Sequence, residues 1–248
     1  MHNKILIIGY GVVGKNLEKE LEKMDPDICD KYQNIHSKQP YHDFGFICVN
    51  TPLRNNALDI SEVKAAILEN ECGIYIAKST CPVGTIDNLK QETGKRIVFS
   101  PEYYGETQHC NNYDFNFTIL GGAKEDCQEV VQVLQNVYDG RHHFHIVDAR
   151  TAELAKFMEN SWLATKVTFC NAFFRAAERE GVSYEELREL FLLDPRVNPS
   201  HTFVYRDHPY FQSKCLDKDV PAAASQLESE FLHKILEIND GYKNDFVR

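Results

Sequence analysis

The chain has 248 residues, 43% of them hydrophobic, with 27 Lys and Arg against 37 Asp and Glu for a formal net charge of −10. That length sustains a buried core as one large domain or two smaller ones. The acidic balance, with no basic stretch longer than an isolated pair such as Lys95 and Arg96, excludes a nucleic-acid-binding surface. No apolar run approaches the roughly eighteen residues needed to cross a bilayer, and eight cysteines without a C-x-x-C pair suit free thiols in a reducing compartment. A soluble, cytoplasmic protein without disulfides, zinc or membrane is expected.

Lys4 to Ile8 (KILII) reads as a short apolar strand running directly into GYGVVG and then a helix with charges on one side. This is G-x-G-x-x-G at a strand-to-helix junction. Gly9 permits the tight turn, Gly11 lets a pyrophosphate approach the backbone, and Gly14 lets the helix pack closely on the strand; Tyr10, Val12 and Val13 complete the loop. The helix N-terminus adds N–H donors and a positive dipole end. Dinucleotide binding follows. The second strand of such a unit ends in an acid, and Asp30 in DICDK is placed to accept from the adenosine ribose hydroxyls and repel a 2′-phosphate, favouring NAD over NADP. Asp25 and Asp27 are rivals for that role, and all three also read as ordinary turn acids.

Further along come a strand, FGFICVNTP (Phe44 to Pro52), a helix opening at Ser61 and a strand, GIYIAKST, followed by CPVGT. Alternating strands and helices predict a parallel sheet covered on both faces. Thr51 and Thr80 fall at the carboxyl ends of their strands, where ligands of open parallel sheets bind. RIVFSPEYYGE adds a strand with Glu102 and Glu106 just beyond it, and FTILGG, a helix from about Lys124 to Tyr138 and HFHIV complete the sheet. His143 and His145 alternate in direction with His142, so no metal site is expected there.

From about Asp148 to Glu180 one helix of about thirty residues is predicted, close to 45 Å long. Asp148 suits its start, and Gly181 after Arg175 and Arg179 suits its end. Apolar residues including Leu154, Phe157, Met158, Trp162, Phe169, Phe173 and Phe174 spread too widely for one small neighbour, so two packing surfaces are expected. Lys156 and Asn160 share a face within this apolar stretch, either as solvated residues or because something there needs the charge. A second helix is capped by Ser183 with Glu186 three residues on. An irregular aromatic stretch then leads to KCLDKD at a loop-to-helix junction, where Cys215 reads as a packed cysteine or as a thiol activated beside Lys218 and Asp219.

Six segments in order, GYGVVG, VNTP, KSTCPVGT, SPEYYGE, AELAKFMENSWLATKVTFCN and KCLDKD, resemble the UDP-glucose and GDP-mannose dehydrogenase family along most of the chain. The resemblance implies an α/β fold: a Rossmann-like parallel-sheet NAD-binding domain over residues 1–147, an all-α domain built on the long central helix over 148–241, and a loose polar tail over 242–248. In that family a primary alcohol of a sugar nucleotide is oxidised to the aldehyde and then the carboxylate, with two NAD reduced. Carried onto this sequence, Cys215 attacks the aldehyde as thiolate, Lys156 steadies the oxyanion, Asn160 aligns it, and Asp219 and Thr80 hold a water. Glu106 supports thioester hydrolysis and borders the nicotinamide, Lys218 faces cofactor and substrate, Thr51 lines the cofactor site, and Glu102, Tyr103 and Tyr104 lie on the substrate side. The family also implies a homodimer through the helix 148–180.

The sequence departs from the family in three places. It ends at LEINDGYKNDFVR, about where the connection to a third, nucleotide-gripping domain begins in full-length members. Gln212 and Ser213 replace two glycines before Cys215, with Lys214 adjoining it and Asp217 in place of a usual proline; loss of those glycines narrows the approach to a bound sugar. The segment between Asp30 and Phe44 is also short, leaving little room for a further strand. Three readings follow: a compact NAD-dependent dehydrogenase of a sugar nucleotide or smaller alcohol, an idle NAD-binding dimer that regulates or partners a full-length enzyme, and a relative of the 3-hydroxyacid dehydrogenases that needs no cysteine.

Overall fold

In the computed structural model, which describes residues 3–103 and 115–247, strand β1 (Ile5–Ile8) is buried at every position. It gives way to helix α1 (Val12–Glu20), and β2 (Asp27–Cys29) then pairs with β1 in parallel. Next come β3 (His42–Ile47), a short hairpin of β4 (Leu53–Arg54) and β5 (Ala57–Leu58), α2 (Ser61–Glu69), β6 (Cys72–Ala77), α3 (Thr85–Thr93) and β7 (Ile97–Phe99). Strand β8 (Phe117–Gly121), α4 (Lys124–Leu134) and β9 (His143–Val147) finish a seven-stranded sheet of order β2-β1-β3-β6-β7-β8-β9. Long apolar runs such as IYIA in β6 form central strands because both faces are covered. On one side Leu6, Ile47, Tyr75, Ile97 and Phe99 pack with residues of α2 and α3; on the other, Ile7, Phe46, Ile76 and Val98 meet Leu17 of α1 and Val130 of α4.

The sheet is mixed where the strand-helix alternation predicted a parallel one. β7 and β8 run antiparallel, meeting at Phe99 and Gly121, while β8 and β9 are parallel to each other. Antiparallel neighbours need no crossover helix, and the sequence carries no helical period between RIVF and FTILGG. The short segment after Asp30 folds into a turn closed by a bridge between Asp30 and Ile35, so β2 remains the sheet edge.

Helix α5 (Ala149–Glu180) starts where Asp148 accepts hydrogen bonds from the Thr151 backbone N–H and hydroxyl, and ends at Gly181 with φ +69°. The chain divides into two compact units, Met1–Arg54 with Leu58–Lys156, and Asn55–Ala57 with Phe157–Arg248. The division thus falls inside α5, about two turns after the expected boundary at 147, because Ala149 and Ala152 pack into the sheet core. In the second unit α6 (Tyr184–Phe191) is capped by Ser183, whose side chain accepts from the Glu186 N–H. Helices α7 (Leu216–Gln226) and α8 (Glu230–Val247) follow, Val220 and Ile235 packing with Ala164 of α5. The residues 242–248 read as a loose tail instead continue α8 as far as Val247. Asp245 takes a hydrogen bond from Arg175, whose guanidinium also lies 4.2 Å from the Tyr242 ring centre.

Along α5 the apolar residues fall on two sides, one buried with Phe157, Ala164, Cys170 and Phe174 and one open. Glu153, Lys156, Asn160 and Ser161 are buried, whereas Leu154, Met158, Trp162, Phe169 and Phe173 are exposed, Met158 to 75%. Steps of four, four, seven and four residues place these apolar side chains on one stripe.

Candidate functional site

The glycine-rich loop has the geometry of a dinucleotide cradle. A Cβ on Gly14 would fall 2.1 Å from the Gly9 carbonyl oxygen, and one on Gly9, at φ +94°, would fall 2.7 Å from the Cys48 carbonyl oxygen; both positions need hydrogen. A Cβ on Gly11 would meet nothing within 4 Å, so the space that a pyrophosphate requires lies open there. Gly11 is also the N-cap of α1 and no side chain caps that helix, leaving its first N–H donors for a ligand. Val13 packs against the sheet core and Val12 is exposed. Tyr10 is fastened at both ends, its hydroxyl donating to Glu18 and its backbone N–H to Asp30 Oδ2 at 2.7 Å. These features fit an NAD pyrophosphate.

Of the three acids considered for the end of β2, Asp27 points into the protein, accepting from Ser37 and Lys38 and lying 3.1 Å from the ring of buried His42. Asp25 occupies a left-handed position at the end of the turn after α1. Asp30 contacts the glycine-rich loop. Burial pushes its carboxyl upward, but donors from Tyr10, Gln33 and Tyr32 together hold it below the usual carboxylate range.

At the carboxyl edge of the sheet, the buried Thr51 hydroxyl donates to the Thr80 carbonyl at 2.9 Å and so ties the two strand ends together. Glu153 of α5, a residue sequence reasoning missed, is fully buried. Its carboxylate accepts from the Gly84 N–H at 2.6 Å and the Ile86 N–H at 2.9 Å, closing the N-terminus of α3 in the segment that carries Thr80. Burial raises this carboxyl to about 7, outweighing those two donors. Lys78, also missed, donates to Ser100 Oγ at 3.4 Å; burial lowers its pKa against the opposing charges of Glu20 and Glu102. The signal in both cases was a charged residue inside an otherwise buried segment.

Lys156 is 5% exposed, and its ammonium lies 4.7 Å from the centre of the Tyr103 ring, a cation–π distance. Tyr103 in turn stacks edge-on against Phe117, with centroids 5.1 Å apart. Glu102 directly precedes it, two residues past Ser100 at the end of β7. Tyr104 and Glu106 lie outside the described residues.

In the second unit, Cys215 is the N-cap of α7, placing its thiol at a helix N-terminus, an environment that favours thiolate. One turn on, Asp219 is 1% exposed and doubly held: Lys218 Nζ donates to Oδ1 and Asn160 Nδ2 to Oδ2, each at 2.6 Å. The replaced loop residue Ser213 takes part in the same junction, its hydroxyl accepting from the Leu216 N–H and its own N–H donating to Asp217. Asp217 is exposed, and partial desolvation raises its carboxyl against the Ser213 N–H donor. The structure thus links Asn160 of α5 through Asp219 to Lys218 in one hydrogen-bonded chain on the first turn of the helix that Cys215 caps. It also joins Thr51 with Thr80, and Asp30 with Tyr10.

Two family models match the chain. One, described as the NAD binding domain of the UDP-glucose/GDP-mannose dehydrogenase family, covers residues 15–141, and the family's central domain covers residues 150–241. The GDP-mannose 6-dehydrogenase of Pseudomonas aeruginosa is 30% identical over 212 residues, which are 76% of this chain and 48% of that protein. The chain therefore spans about half the length of the curated relatives it matches. Among solved structures, a UDP-glucose dehydrogenase from Pyrobaculum islandicum aligns with a TM-score of 0.80 at 20% identity, over 97% of this chain and 68% of that one. A 3-hydroxyisobutyrate dehydrogenase from Mycobacterium tuberculosis aligns at 0.69 with 16% identity, over 99% and 95%. At these identities the structural likeness is one of fold.

Proposed function

The chain belongs to the UDP-glucose/GDP-mannose dehydrogenase family, and from that premise we propose that it is an NAD-dependent oxidoreductase acting on a primary alcohol of a sugar nucleotide or a smaller analogue. The observation that carries the reading is the chain Asn160–Asp219–Lys218 beside the Cys215 helix terminus. Folding alone does not require a buried carboxylate with one donor on each oxygen, next to a thiol at a helix N-terminus.

NAD, when bound at the glycine-rich loop, supplies the hydride acceptor. The residues of the chain do the rest. Cys215 thiolate adds to the aldehyde carbon to give a thiohemiacetal, and loss of hydride from that carbon leaves a thioester, which water cleaves to the carboxylate and the free thiol. Lys156 offsets the negative charge developing on the former carbonyl oxygen. Asp219 holds the water that moves the proton of the alcohol, and Asn160 fixes Asp219. Glu106 assists the thioester hydrolysis by family resemblance and Thr51 serves the cofactor side of the site, while Glu102 and Tyr103 serve the substrate side, a role the resemblance extends to Tyr104. Gln212 and Ser213 in place of the family's two glycines, with Lys214 adjoining Cys215, narrow or reshape the approach to the bound sugar. The exposed stripe Leu154, Met158, Trp162, Phe169 and Phe173 supports a homodimer formed along α5.

The test is NADH yield with limiting UDP-glucose, related UDP-sugars and GDP-mannose, for the wild type and for Cys215→Ser. About two NADH per substrate, lost in the serine variant, is the expected result. Steady-state activity that survives Cys215→Ser removes the thioester route and favours the 3-hydroxyacid dehydrogenase plan, which the Mycobacterium tuberculosis fold likeness keeps as the second reading.

A further inference from the structure

The turn after β2 reaches the glycine-rich loop through a residue with no assigned role. Asp30 and Ile35 exchange backbone hydrogen bonds at 2.9 Å, and Asn34 at φ +55° closes the four residues between them. Within this turn Asp30 Oδ1 accepts from the N–H groups of Tyr32 and Gln33, and Oδ2 accepts from Tyr10 N–H at 2.7 Å and from Gln33 Nε2 at 3.1 Å. The same Gln33 Nε2 donates to the Tyr10 carbonyl at 2.9 Å. The peptide groups flanking Tyr10, between the first two glycines, are therefore gripped on both polar sides: the N–H by Asp30 and the C=O by Gln33.

The choice of side chain matters as much as the contacts. A lysine or arginine at position 33 would reach the same two acceptors, but its charge would cancel that of Asp30. An amide fills them and leaves the carboxylate negative beside the place where the adenosine ribose comes. A ribose hydroxyl donates to such a carboxylate; a 2′-phosphate is repelled by it. Leu, with a similar volume, would fill the space and hold neither acceptor.

We propose that Gln33 is a positioning residue for the coenzyme: it clamps the Tyr10 peptide of the glycine-rich loop to Asp30 and, by doing so without charge, preserves the selection of NAD over NADP. The proposal rests on NAD being the bound dinucleotide. Calorimetric titration of the full chain with NAD, ADP-ribose and NADP, beside thermal melting, tests it in wild type, Gln33→Leu and Gln33→Arg. For Gln33→Leu, NAD and ADP-ribose should each bind about tenfold more weakly, the worth of about one hydrogen bond. For Gln33→Arg, NAD affinity should stay within about threefold of wild type, while the NADP-to-NAD affinity ratio rises at least about tenfold as the 2′-phosphate gains a cation. A merely structural role would lower the melting temperature and leave that ratio untouched. Unchanged NAD affinity in Gln33→Leu, or an unchanged ratio in Gln33→Arg, overturns the proposal. A wild-type chain that binds neither NAD nor ADP-ribose overturns the dinucleotide reading itself, and is told apart because it appears before any variant is compared.

Discussion

Replacing Glu153 by Gln should flatten part of the pH dependence of stability. The carboxylate is fully buried, and burial raises its pKa from the ordinary 4.5 to about 7, against the pull of the Ile86 and Gly84 N–H donors. Between those values the folded state binds the proton that the unfolded chain releases, so stability falls as pH rises through the window. The contribution is fully present below about 4.5 and lost above about 7. At 1.36 kcal/mol per pKa unit the whole effect is about 3 kcal/mol, most of which falls between pH 5 and pH 8. Glutamine has the same shape and does not titrate. Urea unfolding of both chains at pH 5, 6.5 and 8, followed by circular dichroism, reads the difference between them, in which the other titrations cancel. Wild type should lose on the order of 2–3 kcal/mol relative to Glu153→Gln over that range. A difference that stays constant with pH would refute the reasoning, because it would mean that the carboxylate keeps its ordinary pKa in the fold.

Gly11→Ala and Gly14→Ala should separate binding from folding. The Gly11 methyl enters open space, so the melting temperature should hold while NAD affinity falls at least about tenfold; the Gly14 methyl would meet the Gly9 carbonyl, so that variant should lose about 1–3 kcal/mol of stability. Equal melting temperatures for the two variants would count against this account of the loop. Trp162→Glu places a charge in the exposed α5 stripe, and sedimentation equilibrium should show the wild type as a dimer and the variant as a monomer. A monomeric wild type at micromolar concentration would remove the dimer from the proposal.

The parts of this protein visible in its sequence are those whose causes are local. The strand, tight turn and helix at the N-terminus follow from KILII and the spacing of Gly9, Gly11 and Gly14, and the ends of α5 follow from Asp148 and Gly181. The grouping of Cys215, Lys218 and Asp219 was visible because a single helical turn holds them. What escaped the reading depends on contacts distant in sequence. Periodicity tells which residues of α5 share a face but not which face other elements cover, so the burial of Glu153, Lys156 and Asn160 and the exposure of Met158 and Trp162 came from tertiary packing. Glu153 meets Gly84 across 69 positions and Gln33 meets Tyr10 across 23, separations at which side-chain hydrogen bonds leave no pattern. The reversal of β8 likewise depends on the path between two strands, not on the composition of either.

Trp162 is the single tryptophan of the chain, and it lies 59% exposed on the apolar stripe of α5, with the Lys166 ammonium 5.9 Å from its ring. Every photon of indole emission from this protein therefore originates on that one face. Uncovered, the ring should emit at the long wavelengths of a water-relaxed indole and be open to quenching by iodide or acrylamide. When another surface seats on the stripe, emission should move to the blue and quenching should fall. The helix thus carries its own optical gauge of whatever it associates with, readable without any label.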